Sequence, residues 1–486
     1  MKIHNQCQPI DPWWMDHVPI LMLALILSVI STLQPQRVAA EPQSQPAQVN
    51  QPTKTPTEPQ SARDYFNRSM RRYRKQDKQG TIADLDRAIR LQPNSVDAYN
   101  NRGIVKESIG DKTGAMADYT RSIELNPKFA EAYINRGFVR LDTGDKTGAL
   151  TDLEAASKLK PKDPQLAFGK AIVLAQTGDQ QGAIDNYSRV IKLSPKNVDA
   201  YYNRGLIKLD LGDKQGALAD YNTAIRLKPS YANAYYGRGK AKELMGNVRG
   251  SIADYDQAIK LKTDNPNANF NRAAAKASSG DRSGAIGDYN QIVSRKPDDA
   301  NAYFNRAAVL AKNGDQVKAI SDYTTAIKLN PQLVEAYNNR GAIYFVTGDR
   351  AAAIADYSEA IRLKPDLAIS YLNRGIAYYA TREYQKAILD YDRVVTLQPN
   401  NAEVYFNRGL TQYQLRDYQQ AIASYDTAIR LQPDYALAYT NRGLVHAQLQ
   451  ATPAATKDLN MAAKLFQAQK NPAAYESVMR KLEKIK

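Results

Sequence analysis

Apolar and small side chains return along this chain with the spacing of one face of a helix. In one stretch Ala115, Met116, Tyr119, Ser122 and Ile123 fall at i, i+1, i+4, i+7 and i+8. This spacing predicts an α-helix, because a half-buried strand would alternate apolar and polar residues instead. Comparable spacing recurs through most of the chain and predicts an all-α protein.

The ends of the predicted helices are marked by residues that favour them. The stretch from Asp97 to Ile109 predicts another helix ahead of the one just described. We expect Gly110 to end that helix in the left-handed conformation and Asp111 to cap the next one. Pro127 is expected to stop the second helix. The two helices together predict a helical hairpin.

The hairpin pattern returns every 34 residues without an insertion. An Asn-Arg-Gly sequence or a close variant marks the interval, and its first residue is Asn67, Asn101, Asn135, Gly169, Asn203, Gly237, Asn271, Asn305, Asn339, Asn373, Asn407 and Asn441. A fixed period of this length predicts stacked repeats, since one hairpin cannot bury its own apolar face. Twelve units tile residues 62–469, and residues 470–486 are expected to form a C-terminal capping helix.

The repeat resembles the tetratricopeptide repeat (TPR), a helix-turn-helix unit of 34 residues. The family's large, small, small, aromatic, small and proline places are occupied by Tyr99, Gly103, Ala115, Tyr119, Ser122 and Pro127. The resemblance covers 408 of 486 residues. It implies an α-solenoid of twelve hairpins in a right-handed superhelix, whose inner wall is built from the first helix of each hairpin. One departure is Arg102 and its counterparts, where the family usually has leucine.

Residues 1–40 follow a different pattern. An apolar run at 20–33 is short for a membrane span of about 20 residues and is typical of the apolar core of a signal peptide. Small residues up to Ala40 offer a cleavage site. We expect a cleaved export signal, and the alternative is a membrane anchor retained through residues 18–33. Either form predicts repeats outside the cytoplasm, in a periplasm or thylakoid lumen.

Residues 41–61 are rich in proline and glutamine and hold almost nothing apolar. This composition predicts a disordered or extended linker. The one cysteine, Cys7, lies in the leader. The exported form is therefore expected to contain no disulfide, so its stability would come from stacking alone.

The chain carries a formal net charge of +16, which is a reason to consider an anionic polymer or a membrane surface as partner. Many cations, however, fall where second helices are expected to end and complement the helix dipole there. They include Arg90, Lys158, Lys192, Arg226, Lys260, Lys328, Arg362, Arg430 and Lys464. We interpret the excess mainly as a solvated face, keep the anionic-polymer binder as the alternative, and do not expect nucleic acid as a partner.

Residue types for catalysis are scarce. Beyond the leader the chain has a single histidine, His446, and no cysteine, and it has no phosphate-binding glycine loop. Paired aspartates such as Asp84 and Asp86 recur at one step of the repeat, which favours a structural role. We therefore expect no enzyme activity, no metal site and no cofactor.

The recurring arginine has an aspartate 16 residues later in ten of the twelve units, as Arg306 has Asp322. This predicts an ion pair between the two helices of each hairpin, because a partly buried arginine without a carboxylate would be costly. The alternative is a cationic ladder for an anionic ligand. Asn186 and Ser424 replace the aspartate, so we expect those two units to be weaker.

The asparagine before the arginine predicts a binding surface. In the TPR family this step faces the concave groove, and the series resembles the peptide-binding superhelix of O-GlcNAc transferase. An amide can both donate to and accept from a peptide unit of any sequence. The candidate peptide-binding residues are Asn101, Asn135, Asn203, Asn271, Asn305, Asn339, Asn373, Asn407 and Asn441, with the aromatic residues Phe168, Tyr202, Tyr236, Phe270 and Phe304. The alternative is that the asparagines satisfy helix ends and the aromatic rings pack between units.

Together these patterns predict a non-enzymatic protein–protein interaction scaffold of the cell envelope. We expect it to bind extended polypeptide segments in the concave groove and to assemble or maintain a complex.

Overall fold

The computed structural model describes residues 60–262 and 267–485. The predicted leader, and the predicted linker up to residue 59, lie outside the described residues. Those residues contain 25 α-helices and no strand, which confirms the all-α solenoid prediction. They form two compact units, one ending at Ala268 and one beginning at Asn269.

The N-terminal unit consists of consecutive helices joined by short turns. Its helices are α1 (Ala62–Arg74), α2 (Lys78–Leu91), α3 (Val96–Ser108), α4 (Lys112–Leu125), α5 (Ala130–Asp142), α6 (Lys146–Leu159), α7 (Pro164–Thr177), α8 (Gln180–Leu193), α9 (Val198–Asp210), α10 (Lys214–Leu227), α11 (Ala232–Leu244) and α12 (Val248–Lys260).

The C-terminal unit begins within α13 and repeats the same arrangement. Its helices are α13 (Asn267–Ser278), α14 (Arg282–Arg295), α15 (Ala300–Lys312), α16 (Gln316–Leu329), α17 (Val334–Thr347), α18 (Arg350–Leu363), α19 (Ala368–Ala380), α20 (Tyr384–Leu397), α21 (Ala402–Gln414), α22 (Tyr418–Leu431), α23 (Ala436–Gln448), α24 (Thr452–Ala468) and α25 (Pro472–Glu483). In both units each odd-numbered helix up to α23 pairs with the even-numbered helix after it.

The turn between α3 and α4 forms as the sequence predicts. Gly110 has a φ of 89°, which is the left-handed conformation that ends a helix at low cost for glycine. The Asp111 carboxylate then accepts a hydrogen bond from the Gly114 backbone N–H at 2.8 Å and caps α4. These contacts confirm the predicted helix end and the predicted cap.

A tyrosine of the second helix fills the interior of most hairpins. Tyr119 is 0% exposed and lies against Gly103, where an added Cβ would come within 2.6 Å of its ring. The small residue in the first helix is therefore required by the large one in the second. Its counterparts, each at most 3% exposed, are Tyr187, Tyr221, Tyr255, Tyr289, Tyr323, Tyr357, Tyr391 and Tyr425.

Consecutive hairpins stack on one another within each unit. Besides apolar contacts, lysines at the start of second helices reach the next hairpin. The Lys78 ammonium donates to the Ser108 carbonyl at 2.9 Å, and Lys146 makes the equivalent bond to Gln176. Each cation thus meets the carbonyl end of a neighbouring first helix, where the helix dipole favours positive charge.

The C-terminal end is closed by a short helix, as predicted. Val478 and Leu482 of α25 pack against Phe466 of α24 in one apolar cluster, while the rest of α25 is mostly polar. This confirms the capping helix.

Most of the cations expected in the last turns of second helices lie there, as Arg90 and Lys158 do. Lys464 is the exception. Helix α24 continues to Ala468, because Gln467 stands where ten of the other units have proline, so Lys464 lies inside the helix. Within residues 60–262 and 267–485, no helix is both long and apolar enough to cross a membrane.

Candidate functional site

The recurring arginine joins its own hairpin to the preceding one. The Arg306 Nε donates to Asp322 Oδ2 at 2.6 Å, and its Nη2 donates to Asp322 Oδ1 at 2.7 Å. Its Nη1 donates to the Asn290 side-chain oxygen at 2.7 Å, and the guanidinium lies over the Tyr303 ring at 5.3 Å. We call this arrangement the arginine clamp. All three of its nitrogens are occupied, and the hydrogen bonds to Asp322 raise the pKa of Arg306.

The clamp is repeated through both units, which confirms the predicted ion pair. The two-pronged contact is made by Arg68–Asp84, Arg102–Asp118, Arg136–Asp152, Arg204–Asp220, Arg238–Asp254, Arg272–Asp288, Arg306–Asp322, Arg340–Asp356, Arg374–Asp390 and Arg442–Asp458. Planar two-pronged pairs of this kind are among the stronger hydrogen-bonded contacts in proteins. The arginine step is thus part of the scaffold.

Two hairpins lack the clamp's carboxylate. Lys170 instead lies 3.6 Å from Glu154 on the preceding hairpin, while Asn186 donates to a carbonyl of its own helix. In the second of these hairpins, Ser424 replaces the aspartate, and the Arg408 Nε donates to its hydroxyl at 3.1 Å. That these hairpins are weaker stays a prediction.

The candidate aromatic residues lie inside the hairpins. Phe168, Tyr202, Tyr236 and Phe304 are at most 8% exposed, and Phe270 is half-buried. Each ring meets the interior tyrosine of its own hairpin, with centroids 5.5 to 6.0 Å apart. The expectation that these five rings offer an open surface is wrong, because they fill the core between the two helices.

The asparagine ladder is more enclosed than the sequence suggested. Five members are buried, namely Asn101, Asn135, Asn203, Asn305 and Asn339. Four are half-buried, namely Asn271, Asn373, Asn407 and Asn441. The ladder therefore does not form one open row, and its peptide-binding role stays a prediction.

Hydrogen bonds separate the asparagines into two kinds. Asn135 donates to the Asn100 side-chain oxygen at 3.0 Å, and Asn305 donates to a carbonyl of its own helix at 2.7 Å. In contrast, the side-chain nitrogens of Asn101 and Asn203 are buried and have no partner. A buried donor without a partner costs about 1–3 kcal/mol. The fold therefore provides these two buried side-chain nitrogens with no hydrogen bond.

The two gaps in the ladder have a steric cause. A Cβ at Gly237 would lie 2.8 Å from the Tyr221 ring, and a Cβ at Gly169 would lie 3.0 Å from the Phe138 ring. The aromatic ring of the preceding hairpin occupies the place of the asparagine. Sequence reasoning noted the gaps without finding this reason, although Phe138 is a larger residue than its counterparts in neighbouring units.

Metal-ligating residue types were compared across the described residues for a possible metal site. No group of three His, Cys, Asp or Glu side chains in that part of the chain could hold a metal ion. His446 lies on α23, with its Nε2 3.9 Å from a clamp carboxylate oxygen of Asp458.

Family models for the tetratricopeptide repeat match several stretches of the chain. The models described as "Tetratricopeptide repeat" match residues 374–440, 96–129, 130–163 and 232–265, and the one described as "TPR repeat" matches 171–212, 205–246, 312–348 and 343–381. Together they span more than half of the 486 residues.

Several solved structures are similar to the chain at low identity. YrrB, described as a TPR protein with an unusual peptide-binding site, is 21% identical over 38% of this chain and 95% of its own, with a TM-score of 0.35. MamA from Desulfovibrio magneticus RS-1 is 20% identical over 35% of this chain and 96% of its own, with a TM-score of 0.34. Yeast Tom70 is 13% identical over 86% of this chain and 95% of its own, with a TM-score of 0.36. The comparison with curated proteins gave no match.

Proposed function

Because the chain belongs to the tetratricopeptide repeat family, we propose that it is a non-enzymatic protein–protein interaction scaffold of the cell envelope. It binds extended polypeptide segments along the first helices of its hairpins and serves the assembly or maintenance of a complex. The observation that carries the proposal is the pair of buried, unpaired amide nitrogens on Asn101 and Asn203.

An unpaired amide donor on a first helix suits a peptide ligand. The peptide carbonyl is an acceptor that every residue supplies, so a donor aimed at it reads the backbone and tolerates many sequences. Asn101 on α3 and Asn203 on α9 occupy the same step of the repeat. A segment crossing several hairpins would meet that step more than once.

The charges of the scaffold do not favour the anionic-polymer alternative. The clamp arginines are bound to aspartates, and several lysines share those carboxylates: Lys106, Lys208, Lys242 and Lys276 lie 2.7 to 3.0 Å from a clamp oxygen. Cations already paired in this way gain little from a phosphate or sulfate group. The placement in a periplasm or thylakoid lumen rests on the leader sequence.

The proposal is tested by removing the unpaired amides. Asn101→Ala combined with Asn203→Ala should weaken the binding of peptides selected from a random library by the full chain. Each lost hydrogen bond is worth about 0.5–1.5 kcal/mol, so affinity should fall roughly fivefold to a hundredfold. The unfolding midpoint should stay nearly constant, since no folded-state hydrogen bond of these nitrogens is lost. Affinities would be measured by fluorescence anisotropy.

Asn135→Ala is the matched control for folding. It occupies the same step but removes a bond to Asn100, leaving that side-chain oxygen unpaired, so it should cost about 1–3 kcal/mol of unfolding free energy. Unchanged peptide affinity in the double variant, or a loss of stability as large as that of the control, would assign Asn101 and Asn203 to packing.

A further inference from the structure

Two consecutive hairpins of the C-terminal unit share a motif at the turn between their helices. It reads Tyr-x-x-Arg-acid-Tyr, at residues 379–384 in one hairpin and 413–418 in the next. The last tyrosine is the first residue of the second helix, and the other ten second helices of hairpins begin with Lys78, Lys112, Lys146, Gln180, Lys214, Val248, Arg282, Gln316, Arg350 and Thr452. Since only these two turns carry the motif, we ask what it binds.

The tyrosines of each motif form a pair of rings. The ring centroids of Tyr379 and Tyr384 lie 5.6 Å apart, and those of Tyr413 and Tyr418 lie 5.7 Å apart. All four side chains are half-buried, so each keeps part of its apolar surface open to solvent. Gln414 of α21 lies beside the Tyr379 hydroxyl of α19, so the two pairs lie on adjoining turns. We call these four rings the tyrosine ledge.

Each motif also holds an arginine without a partner. Arg382 and Arg416 are exposed, and their φ angles of 66° and 63° are in the left-handed region, which is unfavourable for a residue with a side chain. Neither guanidinium makes a hydrogen bond or an ion pair with the described residues, whereas the acids Glu383 and Asp417 are bonded within their own helices. Strained positions of this kind often belong to functional sites.

A ligand that suits this surface combines apolar groups for the rings with an anion for the arginines. Proline-rich segments supply the apolar part, because they form an extended helix of 3 residues per turn that docks on aromatic side chains. This chain has such a segment at residues 42–59. Pro56 and Pro59 lie one turn of that helix apart, and Glu58 lies between them. The segment therefore offers both kinds of group within four residues.

We infer that the tyrosine ledge, together with Arg382 and Arg416, binds the proline-rich segment 42–59 of a second copy of this chain. The prolines pack on the rings, and Glu58 pairs with one of the arginines. Glu58 lies only four residues before Ala62, a reach of at most about 14 Å, and it therefore stays near α1, which packs against α2 in the N-terminal unit. The ledge belongs to the C-terminal unit, so the segment is assigned to another copy.

A peptide titration tests the chemistry of the contact. A fluorescein-labelled peptide of residues 41–60 is added to the full chain, and fluorescence anisotropy gives its affinity. A version with all five prolines replaced by alanine should bind more weakly, and Glu58→Gln in the peptide should reduce affinity roughly tenfold. In the chain, Arg382→Gly with Arg416→Gly should reduce affinity by a similar factor although it relieves backbone strain. Binding and stability should thus change in opposite directions.

Two further variants separate binding from folding. Gln450→Gly relieves the same left-handed conformation, with φ of 59°, in a turn without a tyrosine pair, so it should leave peptide affinity unchanged. Tyr384→Lys with Tyr418→Lys introduces the residue that other hairpins carry at this step, as at Lys112, so the chain should fold and bind the peptide weakly. Equal affinity for the peptide and its proline-free version would overturn the inference, as would unchanged affinity in the arginine or tyrosine variants.

Crosslinking identifies the copy that supplies the segment. A photo-reactive residue would replace Gln385, which is exposed beside the ledge, and this chain would be mixed with an excess of isotope-labelled unmodified chain. Mass spectrometry should find labelled residues 41–60 joined to position 385. Crosslinks to the segment of the same chain only, or none to the segment, would overturn the inference. The ledge uses none of the ladder asparagines, so that result would leave the proposed function unaffected.

Discussion

At the scale of single residues, the arginine clamp explains the departure from the family pattern. An arginine stands where leucine is usual, and its guanidinium is held by a carboxylate of its own hairpin and a polar group of the preceding one. The tyrosine ring beneath it adds a cation–π contact. One side chain thus connects three helices, and a leucine at this step could not make these polar contacts.

The clamp predicts a specific coupling between its two partners. Arg306→Ala should cost about 2–4 kcal/mol of unfolding free energy, somewhat below the range for a fully buried pair, because the arginine side chain is 17% exposed. Asp322→Asn should cost a similar amount, and the double variant should cost less than the sum. Thermal and urea unfolding of the four chains would measure this. Strictly additive effects would reject the coupled pair.

The gap in the ladder at Gly237 gives a second prediction. Gly237→Asn would restore the missing asparagine but place a Cβ 2.8 Å from the Tyr221 ring. Overpacking of this kind costs typically about 1–3 kcal/mol, so the variant should unfold at a lower temperature. Circular dichroism would follow the transition.

Tyr221→Leu in the same chain is the control for this steric explanation. It removes the ring that obstructs position 237. Gly237→Asn should therefore lower the free energy of unfolding less in the Tyr221→Leu background than in the unmodified chain. An equal cost in both backgrounds would show that the ring is not the cause of the gap.

At the scale of helices and turns, the hairpins differ in how they end the first helix. Most use glycine, as at Gly110, but Gln76, Arg382, Arg416 and Gln450 hold the left-handed conformation with φ between 59° and 66°. This conformation costs a non-glycine residue about 1–2 kcal/mol. The turns of the first hairpin and of the last three are therefore built with local strain.

Glycine at such a turn should stabilise its hairpin. Arg416→Gly removes the strain, but it also makes the unfolded chain more flexible, which costs about 0.5–1 kcal/mol of stability. The free energy of unfolding should therefore rise by about 0.5–1 kcal/mol. Gly110→Arg, which makes the opposite change in the N-terminal unit, should destabilise by a similar amount. Chemical unfolding would measure both, and a loss of stability in Arg416→Gly would contradict the strain argument.

The repeating features of the fold were predictable from the sequence because each is set by local chemistry. The hairpin geometry alone is enough to predict the helix periodicity and the glycine turn. It is also enough to predict the aspartate cap and the charge pair 16 residues apart. The environment of the ladder was not predictable in this way. Asn135 finds its hydrogen-bond partner, Asn100, on a neighbouring helix, and sequence spacing alone does not show which side chains of neighbouring helices come within reach. The five candidate aromatic residues illustrate the same point: their repeat step predicts a surface position, but contacts with the interior tyrosines place them in the core.

At the scale of the whole molecule, the described residues form two compact units of one repeat type, and each is a row of first helices backed by a row of second helices. The sequence ahead of them predicts the compartment. If the leader is cleaved after Ala40, the mature protein loses Trp13 and Trp14 and should show tyrosine emission only. Intrinsic fluorescence and intact mass of protein recovered from its native host would test this, and tryptophan emission at full-length mass would favour a retained anchor.

The most direct test of the account asks which row of helices the polypeptide contacts. A photo-reactive residue would replace Gln165, exposed on the first helix α7, or Asp185, exposed on the second helix α8 of the same hairpin, and each chain would be crosslinked to library-selected peptides. The account predicts crosslinked peptide from position 165 and little from position 185. Crosslinks mainly from position 185, or equally from both, would contradict binding along the first helices.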